Sequence, residues 1–189
     1  IRALLFPLHI TAFCLCDSLE EDQYLGASQI IIISASSKTA IGLAQGLADS
    51  KISPKVVGLT SVTNSKFVEG LGCYDEVINY DQLEKIDYSQ GTVMVDMAGN
   101  RAILGTLHDK LADNMLKCLT VGMTHWDNKT TAEDALGQAM LRERTEFFFA
   151  PAHIQKRIGD WGHDGYAKKT NLFMTARACL LYTSDAADD

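Results

Sequence analysis

The 189 residues contain no C-x-x-C pair, no run of basic residues and no apolar stretch long enough to span a bilayer. The first absence, with an odd total of five cysteines (Cys14, Cys16, Cys73, Cys118 and Cys179), argues against a disulfide scaffold or a zinc ribbon. Buried free thiols in a reducing cytoplasm are the expected state. The second absence, with a net charge of −7 and a pI near 5.2, excludes an electrostatic nucleic-acid surface. The third excludes a membrane-spanning helix. Several catalytic signatures are missing as well. No G-x-S-x-G elbow occurs, and Ser37-Lys38-Thr39 lacks the glycines of a P-loop. His9, His108, His125, His153 and His163 are scattered without an H-E-x-x-H or comparable spacing, so no metal site is expected. Tyr166-Ala167-Lys168-Lys169 falls one residue short of a Tyr-x-x-x-Lys pair. What remains is a chain 47% hydrophobic and 22% charged, the composition of one globular domain with a full core.

The most informative stretch is QIIIISASSKTAIGLAQGLA, residues 29–48. Ile30 to Ile33 form an unbroken apolar run, the pattern of a parallel strand buried on both faces. Small residues follow, and Ile41, Ala44, Leu47 and Ala48 then recur at helical spacing. Such a strand, turn and helix make the first half of a βαβ unit, whose turn lets a phosphate approach backbone N–H groups. The turn has no G-x-G-x-x-G pattern, because Ala35, Ser36 and Ser37 stand where glycines are usual. A turn merely capped by Ser36 or Ser37, with no ligand, is the competing reading. Lys38 in the first helical turn opposes the macrodipole, which favours a nearby anion.

The rest of the chain alternates. Leu4 to Leu19 predicts a helix, Lys55 to Thr60 a second strand, and Asn64 to Leu71 a short helix closed by Gly72. Glu76 to Asn79 predicts a third strand, Asp81 to Ile86 a short helix, and Thr92 to Asp96 a fourth strand. A helix capped by Asn100 runs to about Ala112, followed by a strand from Met115 to Val121. A helix is expected over Ala132 to Leu141, and a sixth strand over Glu146 to Ala150, stopped by Pro151. Short connections between alternating strands and helices give an α/β fold with a doubly wound parallel sheet.

Three segments carry a family likeness. VVGLTSVTNSKFVEGLGCYDEVINYDQ (residues 56–82), VMVDMAG (93–99) and FPLHITAF (6–13) together resemble the medium-chain dehydrogenase/reductase superfamily, in its quinone-oxidoreductase-like part. SASSKTAIGLAQ (34–45) and FFFAPAHIQKRIGDWG (147–162) look closer to an uncharacterised branch of it. The resemblance covers about Leu4 to Trp161 and implies a Rossmann NADP-binding fold, incomplete at both ends. It implies that residues 1–25 lead in from an N-terminal GroES-like domain and that 26–178 form the dinucleotide domain. Residues 179–189 resemble the translation of a sequencing adaptor. The implied reaction moves hydride between NADP(H) and a small carbonyl or enone, with catalytic residues in the preceding domain. A non-catalytic nucleotide-binding or sensor module of the same fold is the alternative, and a cofactor-free structural domain a third. A homodimer is left open.

Candidate cofactor residues follow from the strand ends. A carboxylate after the second strand would bind a free ribose 2′-OH and repel a 2′-phosphate. Thr60 and Ser61 stand there instead, with Lys66 a turn later and Tyr80 after the third strand, so NADP is favoured over NAD. Ser36, Ser37, Lys38 and Thr39 are assigned to the pyrophosphate. Asp96, Ala98 and Gly99 are assigned to the nicotinamide half, although Asp96 equally suits a helix cap. Gly122 and Thr124, beside Met123, His125 and Trp126, end the fifth strand. Thr11 enters through the resemblance, in the family's Thr-Ala position with Ala12.

Overall fold

The structure, a computed structural model, describes residues 2–121 and 143–181. Among these the chain runs α1 (Arg2–Glu21), β1 (Gln29–Ile33), α2 (Lys38–Ala48), β2 (Lys55–Thr60), α3 (Val62–Gly70) and β3 (Glu76–Asn79). It continues through β4 (Thr92–Asp96), α4 (Arg101–Leu111), β5 (Met115–Thr120), β6 (Thr145–Phe147) and α5 (Ala150–Leu181). All six strands are parallel, in the order β3-β2-β1-β4-β5-β6. This is the doubly wound Rossmann order, which reverses direction between β1 and β4.

The isoleucine run is central because it has apolar cover on both sides. Ile30 and Ile32 pack with Val93 and Val95 against the helical layer of α1, α2 and α5. Ile31 and Ile33 pack with Val57, Leu59 and Met94 against Leu107 and Leu111 of α4. None of the four isoleucines retains any exposed surface.

Helices α1 and α2 lie side by side and nearly touch. A Cβ at Gly42 would fall 2.9 Å from Ala12 Cβ, and one at Gly46 would fall 2.3 Å from Cys16 Sγ. Equal steps of four residues on both helices mean that they run in the same direction. Helix α5 crosses this pair, with Phe13 edge-on to Tyr166 and Phe173 at centroid distances of 6.0 and 5.4 Å. Its first half is tied to α1 by charge. Asp17 accepts from His153 Nε2 and Arg157 Nε, and Arg157 also reaches Glu21 and Asp160. Lys156 pairs with Glu21, and the ring of Trp161 stacks under Arg157 and Lys169.

Some elements differ from the sequence reading. The helix expected over Asp81 to Ile86 is one 3-10 turn at Leu83–Lys85, anchored by the buried Leu83 and Ile86. The sixth strand ends at Phe147, because Pro151 sits in the first turn of α5, where its missing N–H costs nothing. Helix α5 itself is interrupted at Gly162, which adopts a φ of +71°. The helix expected over Ala132 to Leu141 lies outside the described residues.

Two predictions test this packing. Gly42→Ala should lower stability by about 1–3 kcal/mol, because Ala12 Cβ is fixed to its backbone and the helices must part. Gly105→Ala in α4 meets no atom within 4 Å and should instead gain roughly 0.5–1 kcal/mol of helix propensity. Denaturant midpoints with unchanged slopes would decide both. Asp17 supplies the second. Burial alone would lift its pKa, but the hydrogen bonds from His153 and Arg157 outweigh that and hold it below the ordinary carboxylate value. Its contribution is therefore complete above the unfolded-state pKa of about 3.9 and is lost as the pH falls through the folded value. Asp17→Asn should cost about 3 kcal/mol at pH 7, the low end for breaking a buried pair. The gap from the parent should narrow progressively as the pH falls below about 4, and a gap independent of pH would refute an ionic origin.

Candidate functional site

The reversal of strand order leaves a crevice outside the carboxyl ends of β1 and β4, bordered by residues 34–37 and 97–100. The first border is unusual because it has no glycine, yet Ser34 holds a φ of +64°. For a residue with a Cβ that conformation costs roughly 1–2 kcal/mol. Contacts from the β2–β3 region hold it in place. Ser34 N–H donates to Tyr80 Oη at 3.0 Å, Tyr74 Oη donates to the Ala35 carbonyl at 2.8 Å, and Asn64 Nδ2 donates to Ser36 Oγ at 3.1 Å. Ala35 N–H donates to the Leu59 carbonyl. Tyr74 reaches the turn by passing over Gly58, where an added Cβ would lie 2.8 Å from its ring.

Ser37 is the N-cap of α2, its hydroxyl accepting from Ala40 N–H at 3.3 Å. This settles the choice between Ser36 and Ser37 as the cap. Lys38 opens the helix, and Thr39 is buried in its first turn. Ser37 N–H is used by the Ser34 carbonyl. Among the described residues, no acceptor takes the N–H of Ser36 or of Thr39. The turn therefore presents backbone donors and the Ser36 hydroxyl near the positive end of a helix of 11 residues.

Beside it, Thr60 is buried at the end of β2, and its carbonyl accepts Tyr80 N–H. Ser61 occupies the N-cap position of α3 without making a side-chain capping bond. Lys66 lies exposed on the same helix. Burial raises the pKa of Tyr80, with the N–H bond from Ser34 opposing and the Asp96 charge adding to the rise, so its phenol keeps its proton at neutral pH.

Across the crevice, Asp96 is 1% exposed. Its carboxylate accepts from Ala98 N–H at 2.9 Å and from Gly99 N–H at 3.0 Å. Burial pushes its pKa up against those two bonds. Asn100, not Asp96, caps α4, accepting from Ala102 and Ile103 N–H. Asp96 thus shapes the turn in which Gly99 takes a φ of +67°. Thr11 stands on α1 with its hydroxyl donated to the Pro7 carbonyl one turn back. Gly122 and Thr124, with Met123, His125 and Trp126, lie outside the described residues.

Other features lie elsewhere. Cavities of about 240 and 200 Å³ sit at the opposite, amino edge of the sheet, one near His108 and Arg144, the other near Ser53 and Tyr74. Among the described residues no three His, Cys, Asp or Glu side chains are grouped to hold a metal ion. No helix among them is long and apolar enough to cross a membrane. The sequence reading missed Asn64 and Tyr74. Only Gly58, a glycine inside a buried strand, signals that something approaches closely there.

The strained turn yields a paired prediction. Ser34→Gly should raise stability by about 1 kcal/mol, because glycine adopts positive φ freely and the N–H bond to Tyr80 survives. Gly58→Ala should lower it by about 1–3 kcal/mol by displacing Tyr74. Thermal melts of both variants against the parent are the check, and destabilisation by Ser34→Gly would refute the strain.

Comparison with known proteins agrees with this fold. No curated protein matches the sequence. Among solved structures, a candidate NADPH:quinone reductase from Mesorhizobium loti superposes with a TM-score of 0.58 at 14% identity, over 90% of this chain and 49% of that one. Glucose dehydrogenase from Haloferax mediterranei gives 0.57 at 12%, over 98% and 55%. CurA from Vibrio vulnificus, solved in complex with NADPH, gives 0.55 at 15%, over 94% and 57%. The chain thus spans about half the length of these structures. Their shared fold is the one that the resemblance to medium-chain dehydrogenases/reductases implied. Residues 1–179 match the family described as "protein of unknown function (DUF2855)", and the chain belongs to that family.

Proposed function

We propose that this chain is the NADP(H)-binding domain of an oxidoreductase that moves hydride to or from a small carbonyl or enone. The observation that carries the reading is the turn after β1, which sits at the strand-order reversal and keeps the N–H groups of Ser36 and Thr39 without acceptors among the described residues. A pyrophosphate needs such donors, and the first N–H groups of a helix have no intrahelical acceptor and so are open to an anion. The fold shared with CurA, solved with NADPH, supports the same ligand class.

The dinucleotide supplies the hydride when bound, and the residues of this chain bind and orient it. Ser36, Ser37, Lys38 and Thr39 form the pyrophosphate turn. Thr60, Ser61, Lys66 and Tyr80 offer hydroxyl donors and one cation where a 2′-phosphate would lie, and the end of β2 carries Thr60 and Ser61 rather than a repelling carboxylate. Asp96 holds the turn carrying Ala98 and Gly99, which lets backbone approach the other half of the cofactor. Residues 26–178 form the dinucleotide domain in this reading, with α1 leading into it.

Lys66→Ala in the protein that carries this chain should weaken NADPH binding about ten- to a hundredfold and leave NADH nearly unchanged. That range corresponds to one charge-assisted hydrogen bond of roughly 1.5–3 kcal/mol. Ser61→Asp should shift preference the same way by repelling the 2′-phosphate. Fluorescence titration of both cofactors decides it. Equal losses for the two would assign Lys66 to the fold, and tight NADH binding by the unaltered protein would overturn the NADP reading. Tight NADPH binding without turnover of any carbonyl or enone would favour the sensor module.

A further inference from the structure

We infer that Asn64 is a positioning residue for anion binding at the turn after β1, acting through the hydroxyl of Ser36. The inference rests on the proposed phosphate role of that turn and names a residue outside it. A serine hydroxyl has one proton to give and two lone pairs. Asn64 Nδ2 donates into Ser36 Oγ at 3.1 Å and so occupies a lone pair on the side facing α3. Among the described residues nothing accepts the Ser36 proton. With its acceptor side taken, the hydroxyl turns its proton away from Asn64. Ser36 then offers an O–H and an N–H together, and the N–H of Thr39 lies in the first turn of the helix that follows.

The placement of Asn64 supports this role. It stands three residues after Ser61, at the N3 position of α3, where an acid or Gln usually folds back on its own helix N-terminus. Here neither capping contact forms. Ser61 makes no side-chain cap bond, and the Asn64 amide reaches 28 residues back in sequence to the turn. An amide suits the task better than the carboxylate that N3 ordinarily favours. A carboxylate would draw the Ser36 proton toward α3 and set a negative charge beside the incoming phosphate. Tyr80 and Tyr74 hold the two preceding residues of the same turn, so Ser36 is the one member whose side chain is oriented from α3.

The test is a double-mutant cycle in the protein that carries this chain, read as dissociation constants for NADPH and for NADH. Ser36→Ala and Asn64→Ala should each weaken both dinucleotides by about three- to tenfold, the range of one neutral hydrogen bond. The losses should match between cofactors because the pyrophosphate is common to both, unlike the NADPH-selective effect of Lys66→Ala. The double variant should bind no worse than Ser36→Ala alone, since Asn64 acts only through that hydroxyl. Asn64→Asp, nearly isosteric, should weaken binding more than Asn64→Ala. Additive losses would overturn the inference, as would parent-like or tighter binding by Asn64→Asp. Parent-like binding by Asn64→Ala alongside a weakened Ser36→Ala would overturn it too, while leaving the cofactor reading intact. If the parent binds neither dinucleotide, the cofactor reading falls and the inference falls with it.

Discussion

Burial of β1 on both faces is the constraint from which the rest of the molecule follows. Each of its four isoleucines is withdrawn from water, contributing roughly 1.5–3 kcal/mol, so no helix on either face can be dispensed with. A strand that is apolar on both faces lacks the alternation that normally fixes register. Its polar ends supply that information instead. At the amino end Gln29 donates its amide to the Asp87 carbonyl and to Thr92 Oγ1. At the carboxyl end Ser34 N–H is held by Tyr80. Sliding β1 by one residue would leave both sets of buried polar groups unpaired, and that penalty locks the strand.

The same lock determines the chemistry of the turn. Phosphate-binding turns of this fold commonly use glycines, which adopt left-handed geometry at no steric cost. In this chain the glycines sit beneath and beside the turn. Gly58 admits the Tyr74 ring, while Gly42 and Gly46 admit Ala12 and Cys16 of the neighbouring helix. The turn keeps side chains, and its shape is imposed by Asn64, Tyr74 and Tyr80. In the proposed reading it exchanges close backbone approach by a ligand for the Ser36 hydroxyl that Asn64 orients.

How legible each part was in the sequence depended on the range of the interactions that made it. Strands β2, β3 and β4 were legible to the residue, and β1 except for Gln29 at its start, because apolar runs bounded by small or polar residues are local signals. Asn100 as a helix cap was legible for the same reason. Helix α5 was not, since Pro151 reads equally as a stop for a strand and a start for a helix. The helix is held by partners far away in sequence, His153 and Arg157 on Asp17. Tyr80 was expected beside a ligand phosphate, and the structure shows its hydroxyl bracing the turn. Asn64 gave no signal and Tyr74 only the glycine at Gly58, because what each bonds is a hydroxyl or a carbonyl in a distant segment.

Charge placement sets a direction along the crevice. On the β2 side stand Ser36, Ser61 and the protonated Tyr80, which carry hydroxyls. On the β4 side stands Asp96, a buried carboxylate whose oxygens are engaged by Ala98 and Gly99. Its residual negative charge is poorly screened at that depth and acts across the crevice on any second anion. The same charge adds to the burial that raises the Tyr80 pKa. Under the proposed cofactor reading, the phosphates lie toward β1 and β2 and the nicotinamide half lies beside Asp96. That polarity arises from which strand ends carry a carboxylate and which carry hydroxyls. In that reading it orients the asymmetric cofactor before any shape complementarity is considered.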